Sequence, residues 1–390
     1  MQIHTMKDSE CLSDIAKEYG VCEDSLKINN GIADAPALGE ELLVLTPTRT
    51  HTLGATDTPE RMMLRFGVTR RSLLTCNPQL ATEAPEAGDT LIIRYSEPPY
   101  GMGVANGTVY RGCSTRALKR ALPFLTYLTV ASVVLENGEA RQLFDDREVL
   151  RLAEAGGKIP ILRIYARCDA EDYATTVGRE SLSDRIVSLA TERGYRGVLM
   201  SSLPHCDGVG EFLLTMRRKM IGCDLILLCE IDENSPEQIS ELSDGSIFFY
   251  SKCAHSLPES YECGEKRAFE SFAHRCESSK TMIELPTLAA AGDGYLSVCE
   301  ALMLARKRRY EILTDEATLL SRFGDGRKEY VFPSLSNIKA TLDAVYEYGF
   351  MGVSIDVMRT PISYLAMYNA LFKPALYTGV RSAEGCSREP

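Results

Sequence analysis

The sequence has no long apolar stretch and no apolar segment at its N-terminus. No run of about 18 apolar residues occurs, and this excludes a membrane-spanning helix. The first eight residues, from Met1 to Asp8, are mostly polar, so we expect no secretory signal. The protein is therefore predicted to be synthesised in the cytoplasm.

Long clusters of lysine and arginine are also missing. The formal net charge is −11, and no long run of lysine and arginine appears. Proteins that bind nucleic acid or anionic membranes carry basic patches, so we predict neither kind of partner. A neutral or weakly charged ligand, such as a glycan, fits this charge better.

Paired cysteine motifs are absent, although the chain has 13 cysteines. In a reducing cytoplasm most of these thiols are expected to be free and to pack as small apolar groups. One segment is rich in cysteine and histidine, with a spacing that matches no zinc pattern: Cys253, His255, Cys263, His274 and Cys276. We predict no metal site and no cofactor.

A repeat with a spacing of 47 residues covers the first quarter of the chain. The residues that recur include His4 as His51, Leu26 as Leu73 and Asn30 as Asn77. In the first copy Leu12, Ile15, Ala16 and Tyr19 fall on one face of a helix. Gly20 follows, at the place where a helix commonly ends in a left-handed residue. The pattern predicts a unit of about 45 residues in the order strand, helix, helix, strand.

Each unit resembles a LysM domain, and the two copies span residues 1–47 and 50–96. The resemblance implies that sugars contact the loop after the first strand and the loop after the second helix. Those positions are Ser9, Glu10, Cys11, Asn30, Gly31 and Ile32 in the first copy, and Thr56, Asp57, Thr58, Asn77, Pro78 and Gln79 in the second. The second copy keeps the family's Asp-Thr pair, whereas the first reads Ser-Glu-Cys where Gly-Asp-Thr is usual.

Asp57 and Thr58 also have a purely structural interpretation. Thr58 followed by Pro59 is typical of an N-cap and a first helical residue, so the pair caps a helix whether or not it binds a sugar. The expected sugar contacts are backbone amides and short polar side chains. Binding is therefore not expected to be mainly ionic.

Beyond Pro99, short apolar runs alternate with helical patterns. The runs are Leu128–Leu135, Ile159–Ala166, Gly197–Ser201, Leu225–Ile231, Ile247–Tyr250, Met282–Leu285 and Met351–Val357. This alternation predicts an α/β fold with a parallel sheet and crossover helices, and its length fits a (β/α)₈ barrel over residues 100–380. A doubly wound open sheet is the alternative. The lack of a glycine-rich phosphate loop after the first strand weakens that alternative.

Four segments carry a more specific signal, namely Val104–Tyr110, Leu118–Leu135, Gly194–Val198 and Tyr346–Ser354. In this order they are similar to segments of glycoside hydrolase family 18, in particular its LysM-bearing branch, which includes spore-cortex N-acetylglucosaminidases. That family ends strand four with Asp-Gly-x-x-x-Asp-x-Glu. The resemblance implies that the Glu protonates the glycosidic oxygen, while the Asp orients the substrate's own acetamido group for attack on the anomeric carbon.

The catalytic positions of that motif are replaced in this chain. Arg196 stands at the first Asp, Ser201 at the orienting Asp and Leu203 at the catalytic Glu. A leucine cannot donate a proton, and loss of general acid catalysis alone costs about 10²–10⁴ in rate. We therefore predict that the barrel has no family 18 catalytic residues.

The sugar subsite of the family is altered as well. The chain has no tryptophan, whereas the family places one on strand eight, at the position of Asp356. At strand six only Tyr250 remains of the family's Met-x-Tyr-Asp motif. Tyr250 and Asp356 are the candidate ligand-binding residues of the barrel.

Glu230 is the first candidate for a relocated acid, because it ends a predicted strand and barrel active sites lie at the carboxyl ends of strands. Asp207, Glu284 and Asp356 are further candidates. Acids at the rim are common in any barrel, so solvated or ion-paired carboxylates without catalysis are the simpler interpretation.

These observations predict a non-catalytic protein that binds peptidoglycan or a chitin-like N-acetylglucosamine polymer. One alternative is an active spore-cortex-lytic N-acetylglucosaminidase that uses a relocated acid. Another is an interaction scaffold of the spore coat, with coat proteins as partners. From the resemblance to spore-cortex enzymes we expect the protein to end in the spore coat or cortex.

Overall fold

A computed structural model describes residues 1–33, 35–136, 139–167, 170–204, 206, 208–249, 269–292, 294–324, 326 and 328–375. The strands are β1 (Gln2–Thr5), β2 (Glu41–Val44), β3 (Arg49–Thr52), β4 (Thr90–Arg94), β5 (Met102–Val109), β6 (Tyr127–Glu136), β7 (Glu139–Gln142), β8 (Ile159–Arg167), β9 (Gly197–Ser201), β10 (Ile226–Ile231), β11 (Gly245–Phe248), β12 (Thr281–Glu284), β13 (Leu288–Ala291), β14 (Gly294–Ser297), β15 (Leu313–Thr314), β16 (Leu320–Gly324), β17 (Glu329–Pro333), β18 (Gly352–Asp356) and β19 (Lys373–Pro374).

The α-helices are α1 (Leu12–Tyr19), α2 (Glu23–Asn30), α3 (Pro59–Phe66), α4 (Arg70–Cys76), α5 (Thr115–Ala121), α6 (Arg147–Ala155), α7 (Ala170–Ala174), α8 (Thr176–Glu192), α9 (Val209–Ile221), α10 (Gln238–Leu242), α11 (Val298–Arg308), α12 (Leu335–Glu347) and α13 (Ile362–Leu371). Short 3₁₀ helices cover Pro78–Ala81, Leu122–Phe124 and Ser278–Lys280. In the part of the chain that the structure describes, no helix is both long and apolar enough to cross a bilayer.

The two N-terminal units have the predicted order of strand, two helices and strand. Strand β1 pairs antiparallel with β2, and β3 pairs antiparallel with β4. Helices α1 and α3 both end at a left-handed glycine, Gly20 with φ 65° and Gly67 with φ 62°. Each unit also has a small apolar core of its own, one around Ile15 and one around Met62.

The remainder of the chain forms a closed barrel of eight parallel strands, which confirms the predicted fold. The strands run in the order β5, β6, β8, β9, β10, β11, β12 and β18, and β18 pairs with β5 to close the ring. At this closure a Cβ on Gly352 would lie 1.9 Å from the Val104 carbonyl oxygen, so only glycine allows the two strands to approach.

The interior of the barrel is apolar at one end and polar at the other. Residues that alternate along the strands, such as Ile161, Leu199, Leu228 and Met282, form a buried cluster inside the ring. Further along the same strands the inward positions become polar. This change places charged side chains in the mouth at the carboxyl ends of the strands, where barrel enzymes carry their sites.

An antiparallel sheet of five strands is inserted between barrel strands β12 and β18. Its order is β14-β13-β17-β16-β15, and helix α11 follows β14. The alternation of strands and helices in the sequence did not predict this insertion. Its strands are short, and hairpin pairing depends on register rather than on a long apolar run.

The first N-terminal unit is fixed to the barrel region by a buried ion pair. The Arg306 guanidinium of α11 lies 2.6 Å from the Glu40 carboxylate, and side-chain exposures are 13% for Arg306 and 3% for Glu40. Arg306 also donates to the carbonyl oxygens of Asn30 and Gly31. Next to this pair Gly39, with φ 74°, lies so close to Ile312 that the position has no space for a Cβ.

The second unit contacts the barrel through helix α4. Arg71 donates to the carbonyl oxygens of Pro123 (2.9 Å) and Leu125 (2.8 Å), which precede barrel strand β6. Glu83 forms an ion pair with Arg116 of α5. Both N-terminal units therefore lie against the barrel rather than extending away from it.

Arg306→Ala is expected to loosen the first unit, because it leaves the Glu40 carboxylate buried without its cation. Breaking a buried pair in this way costs about 3–5 kcal/mol. Faster hydrogen exchange of the α2 amides, compared with those of α4, is the expected measurement. The control is Lys339→Ala, which removes a half-exposed pair with Asp343 and should change stability by about 0–1 kcal/mol. Unchanged exchange in α2 after Arg306→Ala contradicts the prediction.

Candidate functional site

Strand four of the barrel, β9, ends at Ser201, and Leu203 follows two residues later; the sequence resemblance predicts the catalytic motif at these two positions. Ser201 is fully buried and its side chain points into the barrel. Ser202 then adopts a left-handed φ of 57°, and Leu203 packs against the large apolar core. Arg196 precedes the strand and is exposed. Neither Ser201 nor Leu203 offers a carboxylate to the barrel mouth.

A buried arginine lies beside Ser201. The Arg163 Nε atom of β8 donates to the Ser201 hydroxyl at 2.9 Å, and only 5% of Arg163 is exposed. Its guanidinium carbon lies 5.4 Å from the ring centre of Tyr110, 4.8 Å from that of Tyr165 and 5.5 Å from that of Phe249. Aromatic faces attract a cation, so these rings partly replace the water that the guanidinium has lost.

The partner of Arg163 is Glu230, the sequence-predicted candidate for a relocated acid. The two side chains form a buried ion pair, and Arg163 also donates to the Tyr110 hydroxyl. Burial raises the pKa of Glu230, and the adjacent Arg163 guanidinium opposes that shift. Because Glu230 is held by a cation, it is poorly suited to release a proton to a substrate.

Glu284 lies in the same mouth, at the end of barrel strand seven, in a different environment. It hydrogen-bonds the Ser354 hydroxyl, which in turn accepts from Asn106 at 3.0 Å. Thr129 donates to Asn106 at 2.8 Å and completes the chain. Among the described residues, the Glu284 Oε2 atom has no hydrogen-bond partner. Burial raises the pKa of Glu284 to about 7, so this carboxyl is about half protonated at neutral pH.

Asp356 ends strand eight and is used by the turn that follows. Its carboxylate accepts from the backbone amides of Met358 (2.9 Å) and Arg359 (3.2 Å). Only 6% of Asp356 is exposed, and burial raises its pKa. Tyr250, the other predicted ligand-binding residue of the barrel, lies outside the described residues, as do Asp207 and most of the cysteine and histidine segment.

In both N-terminal units an acidic side chain forms hydrogen bonds within the loop after the first strand. Asp57 accepts from His51 at 2.8 Å and from the Gly54 amide at 3.0 Å. In the first unit Glu10 makes the equivalent contacts with His4 and the Lys7 amide. The longer Glu therefore occupies the structural position of Asp57.

The residue after each of these two acids is the N-cap of a helix. Thr58 accepts from the Arg61 amide as the N-cap of α3, and Cys11 occupies the N-cap position of α1. The structural interpretation of these residues therefore applies whether or not they bind a sugar. Ser9, Thr56 and Thr58 remain exposed.

The two repeated asparagines hold each unit together. Asn77 donates to the carbonyl oxygens of Leu73 and Ile92 and accepts from the Ile92 amide. Asn30 makes the equivalent bonds in the first unit. Both side chains are buried and bonded to backbone, so a sugar at these loops is expected to contact their neighbours.

The loops after the second helix differ in accessibility between the units. In the first, Asn30 and Gly31 face Arg306, and Ile32 is buried. In the second, Pro78 is buried and Gln79 half-buried, and the loop borders an open groove of about 420 Å³. We call this the module-two groove; it runs between α3, α4 and residues 80–85, and its volume lies in the range of small-ligand sites.

Among the described residues, one group could hold a metal ion by distance alone. The ligand atoms of His4, Glu10 and Glu18 lie within 4.8 Å of one another. Both ring nitrogens of His4 are already within hydrogen-bond distance of a partner, Nδ1 at Tyr19 and Nε2 at Glu10. The second unit has the same contact of histidine with acid but carries Arg65 at the place of Glu18, so this contact is explained without a metal.

The residue that sequence reasoning missed is Arg163. Its signal was present, since a charged side chain interrupts the apolar inward face of Ile159–Arg167. An inward charge on a barrel strand needs a partner across the barrel. Glu230 was found as a rim acid, but its partner was not.

Solved structures with a similar fold include spore cortex-lytic enzymes and chitinases. The spore cortex-lytic enzyme SleL of Bacillus megaterium QM B1551 aligns with a TM-score of 0.74 at 16% identity, over 96% of this chain and 99% of that one. SleL of Bacillus cereus aligns with a TM-score of 0.73 at 16% identity, over the same shares. A chitinase of Chromobacterium violaceum aligns with a TM-score of 0.60 at 13% identity, over 69% of this chain and 98% of that one. No family model and no curated protein matches the sequence.

Glu284→Gln is expected to change how stability depends on pH. Between pH 4.5 and about 7 the unfolded chain loses this proton while the folded chain keeps it, so stability falls as pH rises through that window. The permanently neutral glutamine removes this loss, which is on the order of 3 kcal/mol.

Urea unfolding at about pH 5 and about pH 8 measures the effect. The variant should gain stability relative to the natural protein at the higher pH. Glu154→Gln, at an exposed position, is the control and should behave like the natural chain. An equal pH dependence in all three proteins contradicts an elevated pKa at Glu284.

Proposed function

We propose that this protein binds an N-acetylglucosamine-containing polymer, with peptidoglycan of the spore cortex as the polymer, and does not hydrolyse it. The observation that carries the proposal is the buried pair of Arg163 and Glu230 beside Ser201. It occupies the barrel mouth where a hydrolase of this kind needs carboxylates.

The chemistry of family 18 explains why this arrangement is unsuited to hydrolysis. Attack by the acetamido group places positive charge on the sugar, and a carboxylate beside it stabilises that charge. Here the neighbouring side chain is the Arg163 guanidinium, which stabilises no developing cation. Leu203, at the position of the proton donor, has no proton to give.

Polymer binding is assigned to the two N-terminal units, taken as LysM modules at residues 1–47 and 50–96, with the barrel at 100–380 as their scaffold. Their order of strand, helix, helix and strand, together with exposed loops, supports this assignment. The choice of cortex peptidoglycan, and of the spore as location, rests on the two Bacillus structures, which are spore cortex-lytic enzymes and align over 96% of this chain. The second unit is expected to contribute more to polymer binding than the first, because the loop after its helix α4 borders an open groove.

A second candidate function is weak hydrolysis by a relocated acid. Glu284 favours it, since its raised pKa leaves a proton available near neutral pH and one carboxyl oxygen unpaired. Glu230 is a weaker candidate because it is paired with Arg163. Against both, the described mouth lacks a second carboxylate free to stabilise the reacting sugar.

We expect no release of fluorophore from fluorogenic chito-oligosaccharides by the natural protein. The double variant Ser201→Asp with Leu203→Glu should also stay inactive, because a carboxylate introduced at position 201 pairs with Arg163. Turnover by the natural protein that Glu284→Gln abolishes would instead establish the second candidate function.

Sedimentation with washed, insoluble peptidoglycan tests binding of the full chain. We expect the protein to pellet with peptidoglycan and to stay in solution with cellulose, whose glucose units lack the acetamido group. Protein that remains in the supernatant with peptidoglycan overturns the proposed function.

A further inference from the structure

Helix α4 of the second unit meets the barrel at a carbonyl group that also receives a buried lysine. Lys158 lies between α6 and β8, and its side-chain nitrogen donates to the Leu125 carbonyl oxygen at 2.8 Å. The Arg71 guanidinium of α4 donates to the same oxygen, also at 2.8 Å. Leu125 precedes β6, which pairs with β8, and this pairing brings the two chain segments together. Two basic side chains therefore converge on one acceptor where the second unit contacts the barrel.

Lys158 is buried without an acidic partner. Only 7% of the residue is exposed, and in the part of the chain that the structure describes neither Lys158 nor Arg71 forms an ion pair. An exposed lysine needs no partner because water solvates its charge, but a buried ammonium group without a carboxylate is costly. Each nitrogen is 2.8 Å from the same oxygen, so the two nitrogens lie within twice that distance of each other. Two positive charges this close repel strongly where water is excluded.

The other charged groups around Lys158 do not neutralise it. Lys158 borders an open groove of about 760 Å³ whose charged lining residues are Arg147, Arg151, Glu154, Arg193, Arg196 and Asp224. Three of these arginines already pair with acids elsewhere. Glu154 and Asp224 are exposed, and within the described ranges neither forms an ion pair with Lys158. On the side of α4 the charged group is Arg71, which lies near the buried hydroxyl of Tyr368.

We propose that a proton on Lys158 controls the docking of the second unit on the barrel: α4 docks while this amine is uncharged, and protonation weakens the contact. An uncharged amine still has N–H groups, so the hydrogen bond to Leu125 survives while the repulsion by Arg71 is lost. Docking also brings Lys119 of α5 to the module-two groove. The proton therefore determines whether that groove has its barrel wall, whatever ligand the groove takes.

The direction of the pH dependence follows from the surroundings of the amine. Burial, and to a smaller extent the Arg71 guanidinium, lower the pKa of Lys158 to about 7. When α4 moves away the side chain regains water, and its pKa rises toward the ordinary lysine value. Above pH 7 the docked form therefore binds fewer protons than the undocked form, and docking strengthens with pH by up to about tenfold per pH unit. Below pH 7 the amine is protonated in both forms, and docking is at its weakest.

Hydrogen exchange of the full chain at about pH 6 and about pH 9 tests the proposal, with the natural protein and Lys158→Met compared at each pH. Comparison at equal pH removes the effect of pH on exchange chemistry. Methionine is uncharged and of similar length, and Arg71 still supplies a donor to the Leu125 carbonyl. The amides to follow are those of α4 and of Leu122–Phe124, which pack together. The ratio of their exchange rates, natural protein over variant, is expected to be about 10-fold to 100-fold larger at the lower pH.

Two further variants complete the experiment. Lys307→Met changes an exposed lysine of α11 and is the matched control, with a ratio near one at both pH values. In Arg71→Gln the titration of the Lys158 side chain, followed by NMR, should move to higher pH than in the natural protein because the neighbouring charge is gone.

The amides of α4 should also exchange faster than those of barrel strand β10, because docking is lost without unfolding of the barrel. Exchange of both sets at one common rate means that Lys158 acts through unfolding of the whole chain, and this overturns the proposal. An equal ratio at both pH values for Lys158→Met, or an unchanged Lys158 titration in Arg71→Gln, overturns it as well.

Discussion

The ion pair between Arg163 and Glu230 constrains the whole barrel mouth. A guanidinium removed from water must be paired, and replacing one member of such a pair leaves the other charge buried at a cost of several kcal/mol. Three aromatic rings and the Ser201 hydroxyl complete the environment of this cation. The side chains around Ser201 therefore hold Arg163 in place. A carboxylate introduced at position 201 is expected to pair with Arg163 rather than to act on a substrate.

Two glutamates in this mouth illustrate how surroundings determine the state of a side chain. Glu230 lies on β10 and Glu284 on β12, with β11 between these strands. Both side chains are largely buried inside the barrel. Glu230 lies against a cation, whereas Glu284 meets neutral hydroxyls and holds its proton up to a pKa of about 7. Burial raises the pKa of both carboxyls, but among the described residues only Glu230 has a cation in direct contact.

Docking of the N-terminal units against the barrel changes which of their loops are accessible. Arg306 turns the second loop of the first unit toward the barrel, while Arg71 places the second unit so that its groove meets helix α5. The two repeats therefore have different surroundings in spite of their similar folds. The groove of about 420 Å³ borders the second unit and is also lined by Lys119 of the barrel.

The sequence by itself determined the two repeats and the barrel strands, and it placed neutral side chains at Ser201 and Leu203. These are local properties: Gly20 and Gly67 end helices, strand periodicity sets which residues face inward, and Ser201 and Leu203 stand at a short motif. Only the tertiary structure decided which inward charges meet. Arg163 and Glu230 come from different strands, and Lys119 reaches the second unit from the barrel, because ring closure and docking join segments that no sequence spacing relates. The pKa of Glu284 likewise depends on burial by residues from other strands, which periodicity does not encode.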